Sequence, residues 1–152
     1  MLPGNENYFI FGLGSFLIAH IFYIFAFLQI RKELQQRLNI WFIIFPALYC
    51  IILLNTLLPN AGALAIPVVF YAIIISCMLV AALHCSIIQN KNTGWFFATA
   101  AMLFVISDSF IGLDKFYMNI KANSWIVMLT YMSAQLLLTV GFSNYISYAS
   151  KK

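Results

Sequence analysis

Five long apolar runs, separated by short polar stretches, decide most of what this chain can fold into. They cover about residues 8–30, 39–58, 63–88, 95–113 and 125–146. A helix needs about 20 apolar residues to cross the ~30 Å hydrocarbon core of a bilayer, and each run meets that length. Backbone polar groups find no water there, so only helices and closed barrels can span it. The period-two alternation of barrel strands is absent, which leaves helices. The expected fold is all-α, a polytopic transmembrane helix bundle of five spans, forming a single transmembrane domain over residues 1–152.

Charge supports this reading. Only 8% of the residues are charged, against about 25% in a soluble globular chain. The net charge of +4 is no nucleic-acid footprint, because the basic residues sit singly or in small groups beside apolar runs. Lys and Arg in such places set topology. One side holds Arg31, Lys32, Arg37, Lys91, Lys151 and Lys152, and the other holds Lys115 and Lys121. The expectation is a multi-pass protein of the cell membrane, the inner membrane if bacterial, with its C-terminus cytoplasmic and Met1 outside. The start lacks the basic n-region of a signal peptide, and its apolar run is too long for an h-region. An odd number of upstream spans would account for an outward N-terminus.

Smaller features have ordinary readings. Pro59, Asn60, Ala61 and Gly62 form a short turn, which predicts an antiparallel pair of helices on either side. Pro46 and Pro67 read as kinks. Cys50, Cys77 and Cys85 lie in spans with no C-x-x-C spacing and read as small packing residues. No internal repeat supports an inverted-repeat transporter.

Asp108 stands apart, as the only acidic residue inside any of the five runs. A charge at the centre of a membrane helix costs at least about 2.5–3.5 kcal/mol. Asp108 must therefore face another helix, a water-filled cavity or a substrate. A rise of about 1.5 Å per residue puts it roughly 6 Å outward from the middle of its span. Tyr71 and Tyr131 come out at a similar depth, with His20 and Gln135 near the midplane. Tyr131, Gln135 and Thr139 form an i, i+4, i+8 stripe, and His20 and Tyr23 share a face. Gly12, Ser15 and Ala19 read as a close-packing helix seam.

Asp108 is the candidate catalytic residue. His20, Tyr23, Tyr71, Ser107, Tyr131 and Gln135 are the candidate substrate-binding residues, and no metal or cofactor is implied. Each has a plainer alternative. The tyrosines can be interfacial aromatics, Gln135 interhelical glue and His20 a packing histidine, while Ser107 and Ser109 can bond back to their own helix. His84, near the cytoplasmic end of its span, reads as packing. Low-dielectric surroundings favour the protonated form of a carboxyl, and a nearby cation favours the ionised one. No Lys or Arg lies at this depth, so His20 is the one candidate cation. A carboxyl that can hold a proton suits a general acid. It suits a small proton-coupled transporter or lipid-binding protein equally well, and residue spacing does not separate these.

Gly12, Leu13, Phe16, Ala19, His20 and Tyr23 resemble the "GL..F..aH..Y" signature of the YhhN-type lysoplasmalogenase family. Pro67, Tyr71 and Met78 resemble its middle segment. Leu103, Phe104, Ser107 and Asp108 look like its "LF..SD" motif, and Tyr131, Ala134, Gln135 and Leu137 like its "Y..aQ.L" motif. The matches fall in family order along nearly the whole chain. The resemblance implies a membrane-embedded hydrolase that cleaves the vinyl ether bond of lysoplasmalogen-like lipids by carboxyl acid–base chemistry. A membrane lipid would then be its substrate. It also implies about eight helices, and a second essential aspartate in a "GD..L" motif before the segment matched by the first span. This chain begins at Met1-Leu2-Pro3-Gly4-Asn5 instead. The expectation is that it corresponds to the family pattern without its first helices and without that acid, and is inactive in this form.

Overall fold

The computed structural model describes residues 5–33, 35, 37–86, 91–120 and 123–150. Residues 87 and 88 of the third expected span, and Lys121, Lys151 and Lys152, lie outside the described residues. Five helices follow one another: α1 (Asn5–Glu33), α2 (Trp41–Ala61), α3 (Ala65–Cys85), α4 (Lys91–Phe116) and α5 (Asn123–Ala149). No strand occurs among the described residues.

Four stretches among these residues are long and apolar enough to cross a membrane: Ile10–Glu33, Trp41–Cys85, Thr93–Phe116 and Ser124–Ala149. The second has 45 residues, more than one crossing needs, and it doubles back. Gly62 takes a φ of +51°, a left-handed conformation that costs a glycine little. A single 3-10 turn, Gly62–Leu64, then reverses the chain. α2 and α3 have 21 residues each, about 31 Å of helix. The thiol of Cys50 on α2 meets the carbonyl of Ala72 on α3 at 3.6 Å, as an antiparallel hairpin requires. The five expected spans therefore correspond to four apolar stretches, one of them folded double.

The helix ends follow local chemistry. Gln35, with φ +49°, breaks the path of the chain after α1. Asn39 Oδ1 accepts the Trp41 N–H at 3.1 Å at the start of α2. Pro67 is the third residue of α3, where the backbone N–H has no intrahelical partner in any case, so it opens that helix rather than bending its middle. α2 runs on through Pro46. Gly94 lets α4 start against the end of α3, since a Cβ there would lie 2.5 Å from the Ser86 carbonyl oxygen.

α3 is the central helix, touching α1, α2 and α4, while α5 packs along α4. The core fills the end of the bundle where α1 and α3 finish, around Phe27, Met78, Ala82, Phe97 and Ala101. His84 belongs to this core. Its Nδ1–H donates to the Val80 carbonyl at 2.8 Å, and its Nε2 accepts the Asn39 N–H at 3.1 Å. α1 and α5 run parallel: Tyr23 meets Gln135 and Glu33 meets Tyr145, both 112 residues apart. Among the described residues these two helices meet through long side chains only. Large apolar side chains cover the outer faces, with Phe22 and Phe25 on α1, Phe45 and Ile52 on α2, and Leu129 and Leu136 on α5. Faces this apolar belong against lipid or further helices. The chain is an integral membrane protein.

Candidate functional site

Three consecutive residues of α4 point to three different neighbours, because successive side chains on a helix lie about 100° apart. Ser107 turns towards α5 and donates to the Val127 carbonyl at 3.3 Å. Ser109 turns towards α2, donates to its own Val105 carbonyl and is hydrogen-bonded to the Tyr49 hydroxyl. Since Ser109 spends its proton on Val105, Tyr49 is the donor of that pair. Asp108, between them, faces α3 and α1.

Asp108 Oδ2 accepts the Tyr71 hydroxyl at 2.6 Å and lies 3.7 Å from His20 Nε2. Its side chain is 10% exposed, whereas His20 is fully buried. His20 Nδ1 lies 2.6 Å from the Phe16 carbonyl. A carbonyl can only accept, so Nδ1 carries the hydrogen and the neutral ring turns an Nε2 lone pair towards Asp108. That nitrogen is buried and has no hydrogen-bond partner. His84 is equally buried but satisfied at both nitrogens. At 3.7 Å the two groups are not hydrogen-bonded, but they are close enough for a charge on one to be felt by the other.

Asp108 lies in the wall of a cavity between α1, α2, α3 and α4. The cavity measures about 170 Å³, where a single water takes about 10–15 Å³. It has room for a guest of several heavy atoms rather than one solvent molecule. Ile75 and Val105 line its inner end. Tyr49, Tyr71, Asp108 and Ser109 make a polar band, and beyond it Leu13, Leu53, Leu57 and Phe116 make an apolar stretch. Among the described residues no Lys or Arg lines it.

Of the residues singled out from sequence, Asp108, Tyr71 and His20 come together, with His20 behind the carboxyl rather than at the cavity. Tyr23, Tyr131 and Gln135 form a separate cluster between α1 and α5. Tyr23 donates to Gln135 Oε1 at 3.1 Å, and Gln135 Nε2 donates to the Tyr131 hydroxyl at 3.0 Å. The Phe104 ring touches both groups, 5.4 Å from the His20 ring and 5.7 Å from that of Tyr131, and the His20 and Tyr23 rings meet directly at 6.3 Å. These three residues and Ser107 do not line the cavity. Tyr49 and Ser109 do, although neither was a candidate. Tyr49 carries the same signal as Tyr71, a hydroxyl deep inside an apolar run.

Gly12 faces open space: a Cβ there would meet nothing within 4 Å. Ser15 is exposed. The expected seam of Gly12, Ser15 and Ala19 is thus not a close helix contact among the described residues. Close packing occurs instead where Gly141 of α5 lies against the Phe97 ring of α4.

No solved structure matches the chain. A Mycobacterium bovis protein named lysoplasmalogenase is 33% identical over 137 residues, which are 88% of this chain and 51% of that protein. The human lysoplasmalogenase TMEM86B is 32% identical over 132 residues, 87% of this chain and 53% of its own. The bovine lysoplasmalogenase TMEM86A is 29% identical over 141 residues, 90% and 56% of the two chains. The chain thus spans about half the length of the curated relatives it matches. The YhhN family model matches residues 1–142, and the chain belongs to the YhhN family.

Proposed function

We propose that this chain forms part of a membrane-embedded hydrolase that cleaves the vinyl ether bond of lysoplasmalogen-like lipids, with Asp108 as the acid. The observation that carries this reading is a lone carboxyl set in the wall of an apolar cavity inside a membrane protein. Among the described residues no second carboxyl reaches that cavity. Asp114 accepts the Ile120 N–H at 2.7 Å, and Glu33 bonds Tyr145 at the other end of the bundle. The names of the mycobacterial and human relatives support the substrate class.

The residues at the cavity suit this chemistry. Protonated Asp108 gives its proton to the β-carbon of the vinyl ether, and the C=C electron pair becomes the new C–H bond. Positive charge spreads over the α-carbon and the ether oxygen. The carboxylate left behind stabilises that cation, as in the oxocarbenium chemistry of glycosidases. Tyr71 holds the carboxylate by a hydrogen bond that strengthens as its charge develops. Water adds to the α-carbon and returns a proton to Asp108. The hemiacetal then breaks its C–O bond, the oxygen taking a proton as it leaves, to give a fatty aldehyde and a glycerophospho-alcohol. His20 does not touch the cavity. It is a positioning residue, packed behind Asp108 with Nε2 3.7 Å from the carboxyl.

The distribution of basic residues supports a cytoplasmic C-terminus, with the cavity in the outer half of the membrane. The test is aldehyde release by the full-length protein in proteoliposomes supplied with a lysoplasmalogen. Asp108→Asn is expected to abolish release at unchanged protein level. Undiminished release overturns the proposal, and proton-coupled solute flux without aldehyde identifies a carrier instead.

A further inference from the structure

Tyr49 of α2 and Ser109 of α4 both line the cavity, and the hydrolysis steps above use neither. Their protons run in one direction. Ser109 donates to the Val105 carbonyl of its own helix, and the Tyr49 hydroxyl donates to Ser109. A carbonyl only accepts, so this chain of bonds is anchored at its inner end. What it leaves at the cavity wall is the Tyr49 oxygen with its hydrogen already spent, an acceptor and not a donor.

A water that attacks carbon must aim a lone pair at it, so both of its hydrogens need acceptors elsewhere. One goes to the Asp108 carboxylate in the step already described. A second O–H left without an acceptor in an apolar cavity is costly, and the need for one grows as the water takes on positive charge. Among the described residues the polar side chains of the lining are Tyr49, Tyr71, Asp108 and Ser109. Acceptors for the two hydrogens of one water stand about 4–5 Å apart at ordinary bond lengths. The Tyr71 oxygen lies 2.6 Å from Asp108 Oδ2, too close for that pair to take both. Ser109 already accepts the Tyr49 proton. Tyr49 itself is held against the residue that follows Asp108 on α4, with Cα atoms about 3.8 Å apart along the chain.

We propose that Tyr49 is a catalytic residue that holds the attacking water. Its oxygen accepts one hydrogen of the water while Asp108 accepts the other. The water oxygen forms the new C–O bond at the α-carbon, and the hydrogen facing Asp108 passes to the carboxylate. Ser109 is a positioning residue, which keeps the Tyr49 proton turned away from the water. This rests on the hydrolase reading above.

The experiment sets methanol against water as the nucleophile, with the full-length protein in proteoliposomes supplied with a lysoplasmalogen. Methanol adds its oxygen to the α-carbon and gives its one hydroxyl hydrogen to Asp108, and the product is a mixed methyl acetal in place of the aldehyde. It has no second hydrogen for Tyr49 to accept. Tyr49→Phe therefore costs water a bond that methanol never makes, and the acetal-to-aldehyde ratio is expected to rise about 2- to 12-fold, the worth of one hydrogen bond. Tyr117→Phe, at an exposed tyrosine, is expected to keep the wild-type ratio. Ser109→Ala frees the Tyr49 proton to turn towards the water, shifts the ratio in the same direction and serves if Tyr49→Phe does not fold. An unchanged ratio in Tyr49→Phe overturns the proposal, and a raised KM beside it marks Tyr49 as a contact for the lipid's own hydroxyl instead. A shift confined to Tyr71→Phe also overturns it. If the wild-type protein forms neither aldehyde nor acetal, the hydrolase reading fails by itself. The water site is then read from a crystal structure of the full-length protein, where an ordered water between Tyr49 and Asp108 is expected in the wild type and not in Tyr49→Phe. No such water in the wild type, or one retained in the variant, overturns it.

Discussion

Tyr71→Phe removes a single oxygen and keeps a buried ring, so it probes the Tyr71–Asp108 bond with little disturbance of packing. The 2.6 Å separation lies within the O–H···O hydrogen-bond range of about 2.5–3.0 Å. Hydrogen bonds to charged groups contribute about 1.5–3 kcal/mol. The bond reaches full strength only after Asp108 has given up its proton, so its loss falls on the barrier. Each 1.36 kcal/mol is tenfold in rate, which makes the expected fall in kcat about 10- to 150-fold. The hydroxyl points at Asp108 rather than into open space, and KM should stay within about twofold, the signature of an interaction made in the transition state. The assay is aldehyde release over a range of lysoplasmalogen concentrations in proteoliposomes. Tyr117→Phe, at an exposed tyrosine beyond α4, controls for a general effect of losing a hydroxyl. A Tyr71→Phe enzyme with kcat within about twofold of wild type, beside an inactive Asp108→Asn, would show that this bond takes no part in the reaction.

The two buried histidines should separate stability from activity. His84→Leu leaves the Asn39 N–H without its acceptor, costing about 1–3 kcal/mol and lowering Tm in detergent by several degrees. His20→Leu gives up a bond to a carbonyl already inside a helix, so Tm should move less while kcat falls about tenfold or more, the cost of losing the ring nitrogen that faces Asp108. Gly94→Ala forces a Cβ against the Ser86 carbonyl. Overpacking of about 1–3 kcal/mol should outweigh alanine's helix preference of about 1 kcal/mol, and denaturant unfolding will show a net loss. Orientation is read with a membrane-impermeant maleimide in a cysteine-free background. Tyr117→Cys should label from outside intact cells, and Ser150→Cys only after permeabilisation.

Helix positions were legible in the sequence because run length alone fixes a membrane span. Each observed helix begins and ends within a few residues of its expected run, apart from positions outside the described residues. Asp108 was legible because hydrocarbon makes an acid conspicuous, and depth alone brought Tyr71 to it. Rotation about the helix axis was hidden. A helix that is apolar all round gives no stripe to say which side meets which neighbour. Tyr131 and Gln135 are linked to Tyr23 rather than bonded to Asp108, which depth alone did not distinguish. Ser107 shared a motif with Asp108, yet one step along a helix turns a side chain towards a different partner. Tyr49 and Ser109 were missed for the same reason, and the Gly12 seam became a cavity wall.

The chamber beside Asp108 has a floor. Inward of Val105 and Ile75 the described residues pack closely around Met78, Ala82 and Phe97. On the hydrolase reading, a lipid that enters above this floor returns to the sheet of the bilayer it came from.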